Sequence, residues 1–496
     1  MSNPLENVTK DTLSAIAKAQ TSGILETTGI YSYDLSELVT LIPVVTPFRD
    51  IVARKASPDG NPYAVWRAIL DITKSQPDPA VAFDYAANEV SFNEQDFQAR
   101  YKPLAYAGLV TQDAYDLAKG YADPYAVATF NVLNQLLIAE DRKLLGAQSF
   151  ALAAPAAPVV TQHATGGTIG AVSLYVGVAA RTGSGYYYGS GNSQGTSSVI
   201  STFGSGSTNS VTATVTAVRG AVAYDWFYSA NGSTWYYYTT TSTNSVTITQ
   251  TIASNQALPT NLPDLSTNWK GSAGVPTINT SADNGSANAA DYDGFMASLT
   301  GDYNGSGQWV QPGTGTANPS IFKSLDGAAL TLTGGTITEI EANLFLPLWN
   351  QVKTSPTAIM VNAAQAQEIA NLILGSSSAT TYLNTDTSGR VSVTAGGRVG
   401  EIVNAPAGGV TVPIEVHTSL PPGTIIARTD RVPFPQANIS SVLECRTLRD
   451  TAQFDYGINR NPGVAGGGPR KEFELRTVSA FLNRAPVAMA VMSNVA

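Results

Sequence analysis

At 496 residues the chain has room for about three domains of ordinary size, so burying a core is no difficulty. Only 13% of the residues are charged and the formal net charge is −9, a balance that argues against tight binding to a phosphate backbone, which needs clustered Lys and Arg. No window of about 18 uninterrupted apolar residues occurs, and the start lacks a basic segment followed by an apolar core; the expectation is a chain made and folded in a cytoplasm, with no membrane partner.

Residues 1–30 carry a weak helical pattern (Leu13, Ile16, Ala17, Gln20) with little to bury, which predicts an extended arm with a short helix. In 31–55, Pro43 and Pro47 interrupt an apolar run and predict extended chain. PYAVWRAILDI and EVSFNEQDFQARYKPL alternate in part, as the strands of a long hairpin do, with KSQPDPAVAFDYAAN as its tip. An isolated two-stranded ribbon is marginal in water, so this one needs an outside surface, such as another subunit.

Asp123-Pro124 opens the clearest helix. Asp123 suits the cap and Pro124 the first turn. Phe130, Leu133, Leu137 and Leu144 follow at helical spacing as one apolar stripe, Arg142 and Lys143 complement the carboxyl end, and Gly146 offers a stop. At about 22 residues such a helix runs roughly 33 Å, long enough for a spine.

Between 155 and 263 the only charged side chains are Arg181, Arg219 and Asp225, and the alternating segments VSLYVGV, SVTATVTAV, AYDWFY and SVTIT predict a β-sandwich. Tyr224, Trp226 and Tyr228 fall on one face, as its aromatic centre. Trp235 and Tyr237, in the run WYYY, offer either sugar-stacking surface aromatics or further core. From 264 to 330 the chain is rich in Gly, Asn and Ser around the island YDGFMASL; helices ITEIEANLFLPLWNQV and AAQAQEIANLIL then flank the strand AIMVN, and the last hundred residues read as strands. The fold class expected is α+β with an all-β insert.

Chemistry is sparse. The single Cys445 has no disulfide partner and reads as a small buried side chain in SVLECRTL. His163 and His417 are in no metal-binding spacing, the G-x-S-x-G at Gly191–Gly195 lies in a Ser/Gly-rich loop region without a strand-to-helix elbow, and Glu339/Glu341 and Asp291/Asp293 have the alternate spacing of any exposed strand or turn. No catalytic, cofactor-binding or metal-binding residue is assigned.

The order of arm, hairpin, spine helix, mixed α/β region and returning sheet resembles the major capsid protein of tailed bacteriophages. The resemblance rests on LIPVVTPFRDIVAR, on DPYAVATFNVLNQLLIAEDRKLLG, on YDGF with the later AIMVNAAQAQEIANLIL, and on RVPFPQANISSVLECRTLRDTAQFDYG with its closing APVAMAV. It covers most of 1–155 and 264–496. It implies an N-terminal arm (1–30), entry to the peripheral P-domain (31–55), an E-loop (56–104), the P-domain with its spine helix (105–155), an inserted immunoglobulin- or fibronectin-like sandwich (156–263), an axial A-domain (264–429) and closing P-domain strands (430–496). The implied function is structural and not enzymatic: self-assembly, in hexamers and pentamers, into an icosahedral head around double-stranded DNA, in the virion after assembly in the host bacterial cytoplasm. Implied partners are a portal, a separate scaffolding protein, non-specifically held DNA, and decoration proteins or glycans met through the outward insert, whose removal (157–262) is expected to leave shells intact. Candidate E-loop contacts are Arg67, Lys74, Asp78, Asp84, Glu89 and Glu94. The alternatives are an encapsulin-like nanocompartment shell and a secreted polysaccharide-binding or -degrading protein, the latter lacking the export signal it needs.

Overall fold

A computed structural model describes residues 44–57, 60–72, 79–83, 85–87, 89, 92–118, 123–188, 196–200, 206–229, 236–250, 291, 293–333, 335–374, 384–385, 391–392, 399–432, 441–459 and 469–496. The arm expected over 1–30 lies outside them. The chain divides into two compact units: Met1–Thr46 with Pro103–Glu140 and Arg449–Ser479, and Pro47–Lys102 with Asp141–Leu448 and Ala480–Ala496.

The long helix, Pro124–Gly146, whose residues up to Glu140 belong to the first unit and the rest to the second, starts as its sequence directs. Asp123 Oδ1 accepts the free amides of Tyr125 (2.9 Å) and Ala126 (3.3 Å). Its side packs on strand Arg470–Asn483, which lies between Leu443–Asn459 and Lys102–Thr111. The core there is Leu136, Phe473 and Leu475, flanked by Leu104, Tyr125, Val132 and Leu133. The expected stripe needs correcting: Phe130 is 56% exposed, and the buried line passes through Leu136 and not through Leu137, which is half-buried. Spacing locates an apolar side of a helix, but the position of Phe473 decides which edge of that side is covered. Gly108 makes room for this ring, because a Cβ there would lie 2.4 Å from Phe473 Cζ.

The second unit is built on a six-stranded sheet in the order Ile321–Ser324, Ala490–Ser493, Ile425–Arg428, Ala358–Val361, Val410–Val416, Glu401–Asn404. Ala358–Val361 is buried along its whole length, as an unbroken apolar strand must be. Ile340, Leu344 and Leu348 from the segment before it, and Ile369 from helix Ala363–Leu374, join Ile359, Val412, Ile425 and Met492 in one core. The closing strand Ala490–Ser493, expected among the P-domain strands of 430–496, instead pairs with Ile321–Ser324 and Ile425–Arg428 inside this sheet. The turn Pro486–Ala488 that precedes it redirects the chain.

Pro47 does not continue extended chain. It opens the short helix Pro47–Ile51, because proline fits a first helical position and because the buried Asp141 carboxylate accepts the amides of Phe48 (3.0 Å) and Arg49 (2.8 Å). Strand Ala53–Ala56 follows, parallel to 444–447.

Residues 159–248 form two antiparallel sheets. One has the order Tyr236–Thr241, Ala223–Ser229, Leu174–Arg181, Thr196–Ile200; the other, Ser245–Ile248, Ser210–Thr214, Val159–His163. They share one core that contains Tyr224, Trp226 and Tyr228. The reverse face of Ala223–Ser229 is buried as well, and holds an Arg181–Asp225 ion pair completed by the Thr240 hydroxyl. This layer is also joined to the rest of its unit. Leu152 belongs to the same core, Arg219 lies over Phe322 (5.7 Å), Asn244 Nδ2 donates to Asp326 Oδ1 (3.1 Å), and Tyr187 Oη donates to the Thr418 carbonyl (3.2 Å). The expectation of a removable ornament is therefore reversed. Deleting 157–262 strips cover from Leu152 and Phe322, and such a chain is expected to be recovered as insoluble or protease-sensitive material; a soluble, cooperatively unfolding product in circular dichroism would contradict this.

Candidate interaction surface

The hairpin exists as an antiparallel ribbon of Tyr63–Ile72 with Phe92–Arg100, in which Trp66 faces Phe97, Arg67 faces Asp96 and Ile69 faces Glu94. Its base is not bare. Phe97, 1% exposed, stacks between Trp66 (5.6 Å) and Trp309 (5.4 Å), with Tyr303 edge-on at 5.3 Å, so part of the surface the ribbon needs comes from its own chain.

The opposite face carries charge. Arg67 donates to both oxygens of Asp96 (2.6 and 3.0 Å) and to Glu94 (3.3 Å). The hydrogen bond from Arg67 holds the Asp96 carboxyl below its usual range. Solvent screens these pairs, so they contribute little to stability. Two of the sequence candidates, Arg67 and Glu94, are thus brought together, but as partners of one another and of Asp96. Strand register was the signal that could have found Asp96. Glu89 is exposed and apart from that cluster's pairs, whereas Lys74, Asp78 and Asp84 lie outside the described residues.

Between the strands the sequence candidates missed the conspicuous feature. A turn closed by the Tyr85 amide on the Ala82 carbonyl (3.2 Å) presents Phe83 at 99% exposure and Tyr85 at 77%. Aromatic rings bared to this degree are the side chains that anchor protein interfaces. In the first unit, Leu109, Leu117, Phe130 and Tyr456 are also more than half exposed.

The aromatics of the two-sheet layer behave differently. Tyr237 is half-buried, its ring edge-on to Phe227 (5.7 Å) and its hydroxyl within 2.8 Å of Thr240 Oγ1, so it is a packing residue and not a sugar platform. Trp235 lies outside the described residues.

Several described titratable groups are occupied by structural partners. Buried Glu444 is ringed by Lys55 (3.0 Å), Arg446 (2.8 Å) and Arg484 (3.0 Å); burial pushes its carboxyl up, but these cations outweigh burial and hold it low. Glu339 accepts the amide and hydroxyl of Thr331. Lys143 binds both oxygens of Asp291 at 2.8 Å, while Asp293 accepts the Ser149 amide at 2.8 Å. Burial pushes Asp293 up to about 6, with the Asp291 charge adding to the rise and Lys102 opposing it. His417 is buried beside Glu415, and His163 contacts Thr212 on the surface. Among the described residues no three His, Cys, Asp or Glu side chains are placed to hold a metal, and no helix is long and apolar enough to cross a membrane.

No family model and no curated protein matches the sequence. Solved structures do. The cyanophage A-1(L) capsid asymmetric unit is 9% identical, with 93% of this chain and 95% of that one covered at a TM-score of 0.44. The capsid of the native GTA particle is 9% identical over 97% and 99%, at 0.40. The holo-encapsulin complex of Synechococcus elongatus PCC 7942 is 9% identical over 93% of each chain, at 0.36. The chain is similar to capsids and to an encapsulin. At TM-scores below 0.5 and such identities, what it does has to be read from its own residues.

The raised Asp293 gives a signed pH dependence. Its folded value lies above the ordinary 3.8, so ionising it opposes folding: stability is greatest where Asp293 is protonated and falls as the pH rises from about 4 through 6. The change expected is on the order of 2–3 kcal/mol. Thermal unfolding from pH 4 to 7 should show this slope, and Asp293→Asn, which keeps an acceptor for the Ser149 amide, should flatten it.

Proposed function

We propose that this chain is a shell-forming major capsid protein of the tailed-bacteriophage type, and that its work is done by contacts between copies and not by bond chemistry. One observation carries the reading: between the strands of a long ribbon seated at its base by Trp309 and Tyr303, a turn presents two bare aromatic rings, Phe83 and Tyr85. Burying such a ring stabilises by roughly 1.5–3 kcal/mol. A lone molecule has no reason to display both. Repeated around closed symmetry, a contact of that size holds a particle together.

The element order supports the same reading. In the proposed arrangement the ribbon is the E-loop and reaches a neighbouring copy; Pro124–Gly146 is the spine helix of the P-domain, with Asp123 capping it and Leu133, Leu136 and Leu144 on its covered side; and the six-stranded sheet is the core of the A-domain. Copies group in pentamers and hexamers into an icosahedral head that encloses double-stranded DNA. A portal and a separate scaffolding protein are its partners, assembly takes place in the host bacterial cytoplasm, and the product resides in the virion. A net charge of −9 suits a wall that must not grip packaged DNA. The two-sheet layer over 159–248 is an immunoglobulin-like insert, with any decoration protein or glycan bound through a surface other than Tyr237.

Negative-stain microscopy of the purified chain, alone and with its scaffold, tests this. Uniform closed shells are expected from the wild type, and none at the same concentration from Phe83→Ser/Tyr85→Ser, whose subunits should keep wild-type circular dichroism and melting. A wild-type chain that stays monomeric under every condition, or a double variant that closes normally, would remove the basis of the reading.

A further inference from the structure

We propose that the four-aromatic stack at the root of the ribbon, closed by the turn at Gly307, is a positioning device: it sets the direction in which the ribbon leaves its subunit, and so where on a second copy its tip lands. This rests on the shell reading above and deepens it.

Two independent features bear on the same root. The first is the stack of Trp66, Phe97, Tyr303 and Trp309, in which Phe97 is the buried centre and its three neighbours stand 5.3–5.6 Å away. The second is backbone contact. The Gln98 amide donates to the Gly307 carbonyl (3.1 Å), and Gly307 adopts φ +74° so close to the ribbon that a Cβ would fall 1.9 Å from the Asp96 carbonyl oxygen and 2.6 Å from Phe97 Cα. Only glycine meets both conditions at once.

The turn itself is braced. Asn304 Oδ1 accepts the amides of Ser306 and Gln308 at 3.0 Å each, and the Asn304 carbonyl accepts the Gly307 amide at 2.8 Å. A rigid turn therefore seats one edge of the ribbon while the stack seats its face. On the other face the described Arg67 and Asp96 side chains are both more than half exposed.

Leverage turns a local contact into assembly geometry. From Trp66 the paired strand runs on to Ile72, about 20 Å at roughly 3.3 Å per residue, so a tilt of about 10° at the root moves that end by about 3–4 Å. Displacement on that scale forfeits close packing at the tip, because dispersion contacts fade within about 1 Å.

The test combines hydrogen exchange with microscopy on full-length Gly307→Ala and on Trp309→Ala, with Trp309→Phe as the conservative control. Expected are at least tenfold faster exchange in 63–72 and 92–100, unchanged protection in 358–361 and 425–428, and shells that are irregular or formed at least tenfold more slowly, with Trp309→Phe close to wild type. Should Gly307→Ala fail to fold, Trp309→Ala against Trp309→Phe carries the same comparison. Uniform shells at the wild-type rate with unaltered ribbon exchange would overturn the proposal. A wild type that forms no shells would sink the assembly reading alone, and ribbon exchange would still decide whether the root is held by this stack.

Discussion

The carboxylate of Asp141 is the constraint on which the second unit depends. It sits in the long helix with no exposure, and three groups from distant parts of the chain converge on it: the amides of Phe48 and Arg49, and the Ser419 hydroxyl. A buried charge is tolerated only when paired or hydrogen-bonded, so each donor is required by the acid as much as the acid by the donors. The consequence is mechanical. Helix Pro47–Ile51 is placed so that Phe48 stacks on Phe295 (5.2 Å) and lies beside Phe481 (6.1 Å), and the chain then leaves toward strand Ala53–Ala56 and the ribbon. Without the acceptor, the buried Phe48 amide is left without its partner at about 1–3 kcal/mol, and the part-buried Arg49 amide loses its own as well.

A chain with so few charges uses the buried ones as joints. Asp141, Glu444, the Arg181–Asp225 pair and the Lys143–Asp291 pair each link segments far apart in sequence. Lys143 and Asp291 flank the two-sheet layer on its two sides along the chain, so their contact ties together the segments that enter and leave it. Such pairs add little net stability over apolar packing, yet breaking one strands its partner, which favours a single arrangement over near alternatives.

What was legible in the sequence was local. Asp123-Pro124 announced a helix start because cap and first turn are neighbours in the chain, and Tyr224, Trp226 and Tyr228 announced a shared face because a strand alternates at every second residue. What was not legible depended on contacts across the chain. Asp141 looks like an ordinary helix-end acid until Phe48 and Ser419 reach it. Phe130 satisfied the helical period as well as Leu136 did, and only the place of Phe473 separates them. Pro47 read as a breaker because its cap lies 93 residues from Phe48. The closing strand was assigned by order, yet sheet position follows pairing, and Ala490–Ser493 found its partners at 321–324 and 425–428.

The candidate surface follows the same division. Charges along the ribbon are exposed as in any strand, but Arg67 is already engaged by Asp96 and Glu94, and exposed pairs of this kind contribute little. Phe83 and Tyr85 were passed over because an aromatic in a sequence is more often core than surface. Their significance in the proposed shell comes from the combination of a ribbon seated at its root and a turn whose two described rings are exposed. A flexible hairpin would lose ordering entropy on every contact it made, whereas one already seated by Phe97 and Gly307 has less left to lose. In the proposed shell the aromatic stack and the bare turn are two halves of one device: the root limits where the tip can be, and the tip turns that limit into selectivity for one surface over others.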